Sequence, residues 1–169
     1  MGFLKAMRNV VGVALTPAKV AGDAASSVVA HMKDKVDEPA IGSVVRSYLY
    51  GAEHTGIYVG NDEIIHWTRH SKVERCPKED FKSWSSISIY VACKGTEPVG
   101  YPQAAKYAEE HEDEGEEERG AYDPTTNNCH MFVVECLTGG EKCEPRWEEP
   151  NEYCKELLRA DNWRVWKGT

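Results

Sequence analysis

Between residues 3 and 15, Phe3, Leu4, Met7, Val10, Val11, Ala14 and Leu15 recur at intervals of one, three and four, with Lys5, Arg8, Asn9 and Gly12 on the other side. That spacing predicts an amphipathic helix. Its apolar stripe either packs against protein or lies on a membrane surface, and the pattern leaves both readings open. Residues 21–30 are small and rich in Ala and Ser, and read as a second helix or a linker. Pro39 then marks the start of a compact domain over 39–169, with 1–38 as an N-terminal extension.

Within that domain the period shortens to two. Residues 41–48 and 54–60 read as strands, Gly60-Asn61-Asp62 as a turn, and 63–68 as the returning strand. In 87–93, Ile87, Ile89 and Val91 share one face of a further strand. Helical spacing returns at 102–110, where Pro102 suits the first turn. It appears again at 128–137, stopped by Gly139-Gly140, and at 151–160, before an aromatic tail with Trp163 and Trp166. Strands followed by helices predict an α+β fold, a small antiparallel sheet packed on helices.

Length and composition fit one globular domain plus an extension: 169 residues, 41% hydrophobic and 28% charged. The net charge of −8 argues against a nucleic-acid partner. Charge is also segregated. Lys5, Arg8, Lys19, Lys33 and Lys35 face only Asp23 and Asp34 in the first 35 residues, whereas 109–120 is nearly all acid. The basic end suits peripheral membrane contact through residues 3–15, and the acidic stretch reads as a solvated, mobile loop. Six cysteines would suit a disulfide framework in a secreted domain. No signal-peptide pattern precedes them, so they read as reduced thiols of a cytoplasmic protein. No run reaches transmembrane length, and no C-x-x-C or H-E-x-x-H pair calls for a metal or other cofactor.

Three residues carry candidate chemistry: His54, His66 and Cys129. The histidines share a face only if the hairpin register pairs Gly56 with His66 and Val59 with Glu63, as a three-residue connection would. A two-residue turn at Asn61-Asp62 would set them on opposite faces. Cys129 follows Thr125-Thr126-Asn127-Asn128, a string of good N-cap residues, and so stands at a helix N-terminus. There the helix dipole and a neighbouring imidazole favour a thiolate, and the Cys129 N–H is a natural oxyanion donor. The bland alternative is a small core cysteine and two satisfied strand histidines. Cys136, Cys143 and Cys154 read as core residues. Cys76, before Pro77, reads as an exposed loop residue. His70 reads as surface and His130 as helix-borne, each near enough in sequence to assist.

Three segments together resemble a known family. Pro39-Ala40-Ile41-Gly42-Ser43-Val44-Val45 opens the domain, His54-Thr55-Gly56-Ile57-Tyr58-Val59-Gly60 leads through the turn to His66, and Asn128-Cys129-His130-Met131-Phe132-Val133 follows. They look like the lecithin:retinol acyltransferase-like family, a circularly permuted branch of the NlpC-type papain-like superfamily. That family's pattern is P-G-D, then H-x-x-I-Y-V-G with a second histidine, then N-C-E-H-F-V. Ser43 replaces its Asp, and His130-Met131 replaces its Glu-His. The resemblance covers residues 39–140. It implies a permuted papain-like fold, with Cys129 as nucleophile, His54 as base and His66 as the orienting residue. It implies a thiol acyl hydrolase or acyltransferase working through an acyl-cysteine thioester on a lipid ester such as a phospholipid. The substrate-binding residues are not read from the sequence. The rival readings are a cysteine peptidase or amidase on peptidoglycan or isopeptide bonds, and a non-catalytic interaction module. The C-terminal membrane helix of animal members has no counterpart here. Membrane contact would therefore fall to residues 3–15 or to the Trp-rich tail.

Overall fold

A computed structural model describes residues 33–49, 52–82, 88–141, 143–146 and 148–169. The helix expected over 3–15 and the segment 21–30 lie outside the described residues.

The described residues form seven strands: β1 (Val44–Leu49), β2 (Ala52–Gly60), β3 (Glu63–Thr68), β4 (Lys72–Pro77), β5 (Tyr90–Lys94), β6 (Glu97–Pro98) and β7 (Asn162–Val165). They make one sheet in the order β4-β3-β2-β1-β5-β6, with β7 paired to β5, and every pairing is antiparallel. Five helices accompany it: α1 (Lys78–Lys82), α2 (Pro102–Glu110), α3 (Glu116–Arg119), α4 (Cys129–Thr138) and α5 (Glu148–Leu157). The fold is mixed α+β, as the order of periodicities predicts.

Both faces of the sheet are covered, and alternation along the strands sorts the side chains between them. On one face Val44, Ile57, Ile65, Trp67 and Val73 meet Phe132, Val133, Cys136 and Leu137 of α4. Ala104, Ala105 and Ala108 line the inner side of α2 on the same core, and their small size lets that helix lie close. On the other face Val45, Tyr58, Ile64 and Val91 meet Phe81 of α1, Val36 and Trp166. Each such buried large side chain contributes about 1.5–3 kcal/mol. Residues 33–37 run beside β7. Val36 N–H donates to the Val165 carbonyl at 3.0 Å, and Lys167 N–H to the Val36 carbonyl at 2.8 Å. The Trp166 indole N–H donates to the Asp37 carbonyl at 3.1 Å.

Several sequence expectations need correction. Cys76 is not in a loop but in β4, whose register pairs Ile64 with Cys76 and His66 with Glu74. The run from Lys72 to Pro77 is too polar to announce a strand. It is an edge strand ending on Pro77, where a missing N–H costs little. The acidic stretch is tied down rather than loosely solvated. Glu112 takes Arg75 at 2.8 Å, and Arg119 joins Glu114 at 3.0 Å and the buried Glu135. The Asp113 N–H and the Glu114 carbonyl bond to the Val73 backbone. In the aromatic tail Trp166 is 1% exposed and packs on Tyr58, whereas Trp163 is half-buried. The first strand starts at Val44 because 41–42 form a turn. The last helix starts at Glu148, since Glu148, Glu149 and Pro150 suit a first turn. Among the described residues, no helix is long and apolar enough to cross a membrane.

Candidate active site

The β2–β3 hairpin turns on two residues, Asn61 and Asp62, with φ of 54° and 62°. Both are residue types that tolerate this left-handed backbone. Gly60, not Val59, pairs with Glu63, so the expected three-residue connection is replaced by a two-residue one. Alone, that turn would send the histidines to opposite faces. A register shift between Tyr58 and Gly60 restores the parity. Val59 is the extra residue of a β-bulge, and beyond it Tyr58 pairs with Ile64 and Ile57 with Ile65. Continuing this register sets Gly56 opposite His66 and brings both histidines to one face.

There they touch. His54 Nε2 and His66 Nδ1 are 2.6 Å apart, with the rings nearly perpendicular at 78°. Phe81 backs both imidazoles, its centroid 5.1 Å from His54 and 5.3 Å from His66. The other His66 nitrogen, Nε2, faces Cys76 Sγ at 3.4 Å. Burial, then the nearby His54 charge, holds His66 well below the usual histidine range, so it stays neutral. Burial, with Asp80, Glu74 and Glu63 close by, pushes the Cys76 thiol up to about 12, so it stays protonated.

Cys129 is the first residue of α4. Asn128 caps that helix: its Oδ1 accepts from the His130 and Met131 N–H groups at 3.1 and 3.3 Å. Its Nδ2 donates to the Pro124 and Pro145 carbonyls, both at 2.9 Å, which fixes the cap. Caps of this kind stabilise by about 1 kcal/mol. The thiol is only 2% exposed. Burial alone would push it up. His54, then His130, outweigh burial as charges and hydrogen-bond partners and hold the thiol well below its ordinary range. His130 Nδ1 is 3.9 Å from the sulfur. The Tyr122 hydroxyl is 4.0 Å from the sulfur and also takes the Cys129 backbone N–H.

Thus all three residues expected at the site, His54, His66 and Cys129, come together, and Cys76, Tyr122 and His130 join them. His70 is exposed and elsewhere, while Cys136 and Cys154 are core residues and Cys143 is half-buried. Cys76 was legible in principle. A turn read at 69–71 would have put it on the same face as His66, one diagonal away. No sequence signal points to Tyr122. Among the described residues, no group of three or more His, Cys, Asp or Glu side chains could hold a metal.

The ring contacts constrain the protons. His54 Nε2 is engaged by His66, which leaves Nδ1 for the thiol. To accept a proton at Nδ1, neutral His54 must carry its own on Nε2 and donate it to His66 Nδ1. His66 then carries its proton on Nε2, directed at the Cys76 sulfur, a weak acceptor. The state in which His54 Nδ1 can accept a proton is therefore one connected tautomer running from His54 to Cys76.

No protein-family model matches the chain, and no curated protein matches it significantly.

Proposed function

We propose that this chain is a cysteine-dependent acyl hydrolase or acyltransferase that works through an acyl-Cys129 thioester. The observation that carries the reading is the imidazole pair, 2.6 Å apart, acting on a thiol at the start of α4. These partners favour a reactive cysteine over a chance core residue.

In this reading an imidazole beside the sulfur takes the thiol proton, and His54, oriented by the neutral His66, serves as the base through Nδ1. The thiolate attacks a carbonyl carbon, and the developing oxyanion takes the Cys129 N–H in place of the Tyr122 hydroxyl. Collapse breaks the bond to the leaving alcohol, which departs with a proton from an imidazole. Water, or an acceptor alcohol or amine, then gives its proton to the base and attacks the thioester. The Cys129 thiolate is released. The resemblance to the lecithin:retinol acyltransferase-like family supports a permuted papain-like fold and a lipid ester as acyl donor. The free thiols and the basic, amphipathic pattern of residues 3–15 support a cytoplasmic enzyme with peripheral membrane contact there.

The test is adduct capture. The protein is incubated with a phospholipid, a simple aryl ester and a peptide amide in turn, and read by intact and peptide mass spectrometry. The expected result is an acyl adduct on Cys129 from the esters, labile to hydroxylamine and absent in Cys129→Ser. Iodoacetamide should also label Cys129 below neutral pH, where the other thiols stay protonated. Cys93, for one, is pushed up to about 11, chiefly by burial. No adduct from any substrate, with Cys129 labelling like an ordinary thiol, would overturn the proposal. An adduct from the peptide alone would replace the lipid by an amide substrate.

A further inference from the structure

We propose that His130 is a second catalytic imidazole at the Cys129 sulfur, holding the proton that the thiol gives up so that His54 Nδ1 stays free to act as the base for the acceptor. This rests on the reading of Cys129 as nucleophile.

The geometry is specific. Successive helix residues point about 100° apart, so a histidine beside a cysteine ordinarily turns away from it. Here the His130 ring is turned back. The same nitrogen, Nδ1, lies 3.9 Å from Cys129 Sγ and 3.0 Å from Thr55 Oγ1. Thr55 belongs to β2, directly after His54, and is 3% exposed; His130 is 8% exposed. One strand therefore supplies both the first imidazole and the hydroxyl that fixes the second.

The groups around His130 favour its charged form. Cys129 faces it from its own helix, Glu53 from β2 and Glu148 from α5. His54 acts on the same thiol from β2, and Arg46 of β1 stands behind Glu53 at 2.9 Å. Burial would lower the His130 pKa, but the Cys129 charge and hydrogen bond, with Glu53 and Glu148, outweigh it and raise it. A proton on Nδ1 is shared between Thr55 Oγ1 and the sulfur, so one proton serves both contacts, and the thiolate, Glu53 and Glu148 favour the charged ring. A bare Nδ1 would use only the Thr55 hydroxyl and leave the sulfur contact without purpose.

The proton balance closes. The cycle starts with the sulfur as a thiolate, the proton on His130 and His54 Nδ1 free to accept one. As the S–C bond forms and the bond to the leaving alcohol breaks, the leaving oxygen takes the His130 proton. The acceptor O–H then gives its proton to His54 as its oxygen bonds to the acyl carbon and the C–S bond breaks. The proton returns from His54 to His130 through the Cys129 sulfur, which restores the starting state.

The test compares four proteins: parent, His54→Ala, His130→Gln and the double variant. Thiolate ultraviolet absorbance against pH is read as a difference from Cys129→Ser, and ester turnover is measured against pH, with circular dichroism checking the fold. We expect His54→Ala to keep part of the thiolate at neutral pH, because His130 remains beside the sulfur, while losing at least about tenfold in turnover. His130→Gln should shift the thiolate titration up by about one pH unit or more, a tenfold loss of thiolate below the midpoint. The double variant should titrate as an ordinary thiol. Thr55→Val, which spares both imidazoles, should give a smaller upward shift and serves where His130→Gln does not fold. Loss of the neutral-pH thiolate in His54→Ala, with His130→Gln or Thr55→Val unchanged from the parent, would overturn the proposal and leave the proposed function standing. Absence of a neutral-pH thiolate in the parent would overturn both.

Discussion

Gly56 stands opposite His66 and beneath Phe81, and Gly56→Ala should damage the site through packing alone. A methyl built there would come within 2.7 Å of Ile64 Cγ2, 3.0 Å of Phe81 Cε2 and 3.1 Å of the Ile65 carbonyl oxygen. The side chains can give way, but the carbonyl belongs to β3 and cannot move without bending that strand. Overpacking of this kind costs about 1–3 kcal/mol. In a chain of this size each kcal/mol lowers Tm by about 2–4 °C, so a drop of about 2–12 °C is expected. The ring that must move is also the one against which both imidazoles rest, so the 2.6 Å contact between His54 and His66 should be lost with it. Ester turnover should fall at least about tenfold, the equivalent of 1.4 kcal/mol in the barrier. Gly139→Ala is the control. Gly139 has φ +78° and nothing within 4 Å of a new methyl. Left-handed strain there costs about 1–2 kcal/mol, which gives a comparable fall in Tm. Its turnover, corrected for folded protein, should match the parent. Differential scanning calorimetry and an ester assay on both variants decide the matter. A Gly56→Ala protein as stable as the parent, or one that is destabilised yet fully active, would refute the link from strand packing to imidazole placement.

Two further outcomes follow from the same geometry. Deleting Val59 removes the bulge and leaves the two-residue turn unopposed, so His54 should move to the other face. Iodoacetamide labelling of Cys129 below neutral pH should then lose its His54 dependence, and a deletion that preserves it would contradict the parity reasoning. At Cys76, Cys76→Ser keeps a polar partner for His66 Nε2, whereas Cys76→Val strands it. The valine variant should be less stable than the serine variant by about 1–3 kcal/mol in urea unfolding, and less active; equal stability and activity would show that the contact is idle.

The elements with strong periodicity were legible in the sequence: β2, β3, α2 and α4, and with them the three residues of the candidate site. Two kinds of feature were not. The bulge at Val59 is set by how the turn's twist fits the strands, and Ile57-Tyr58-Val59 reads as ordinary alternation. Edge strand β4 has few apolar residues because it has little core to fill, so Cys76 looked like a loop residue. The acid-rich stretch misled for a related reason. Local charge density suggested solvation, but Arg75 and Arg119, distant and near in sequence, neutralise part of it. His130 and Tyr122 reach the thiol through the arrangement of β2, α4 and the segment before it, which no local pattern records.

The parallel contact between residues 33–37 and β7 bears on how the chain folds. Its hydrogen bonds join residues 129 and 130 positions apart, among the longest spans in the described fold. While the chain is being made, Val36 and Asp37 emerge early and wait without partners until 162–167 follow. Until then Tyr58 and Val45 lack the Trp166 cover that completes their side of the sheet. Closure over so long a separation is entropically slow. The imidazole hairpin can thus form from local contacts and take on α4 across 75 positions, from Thr55 to His130, and the step that seals the sheet must wait for β7 to leave the ribosome.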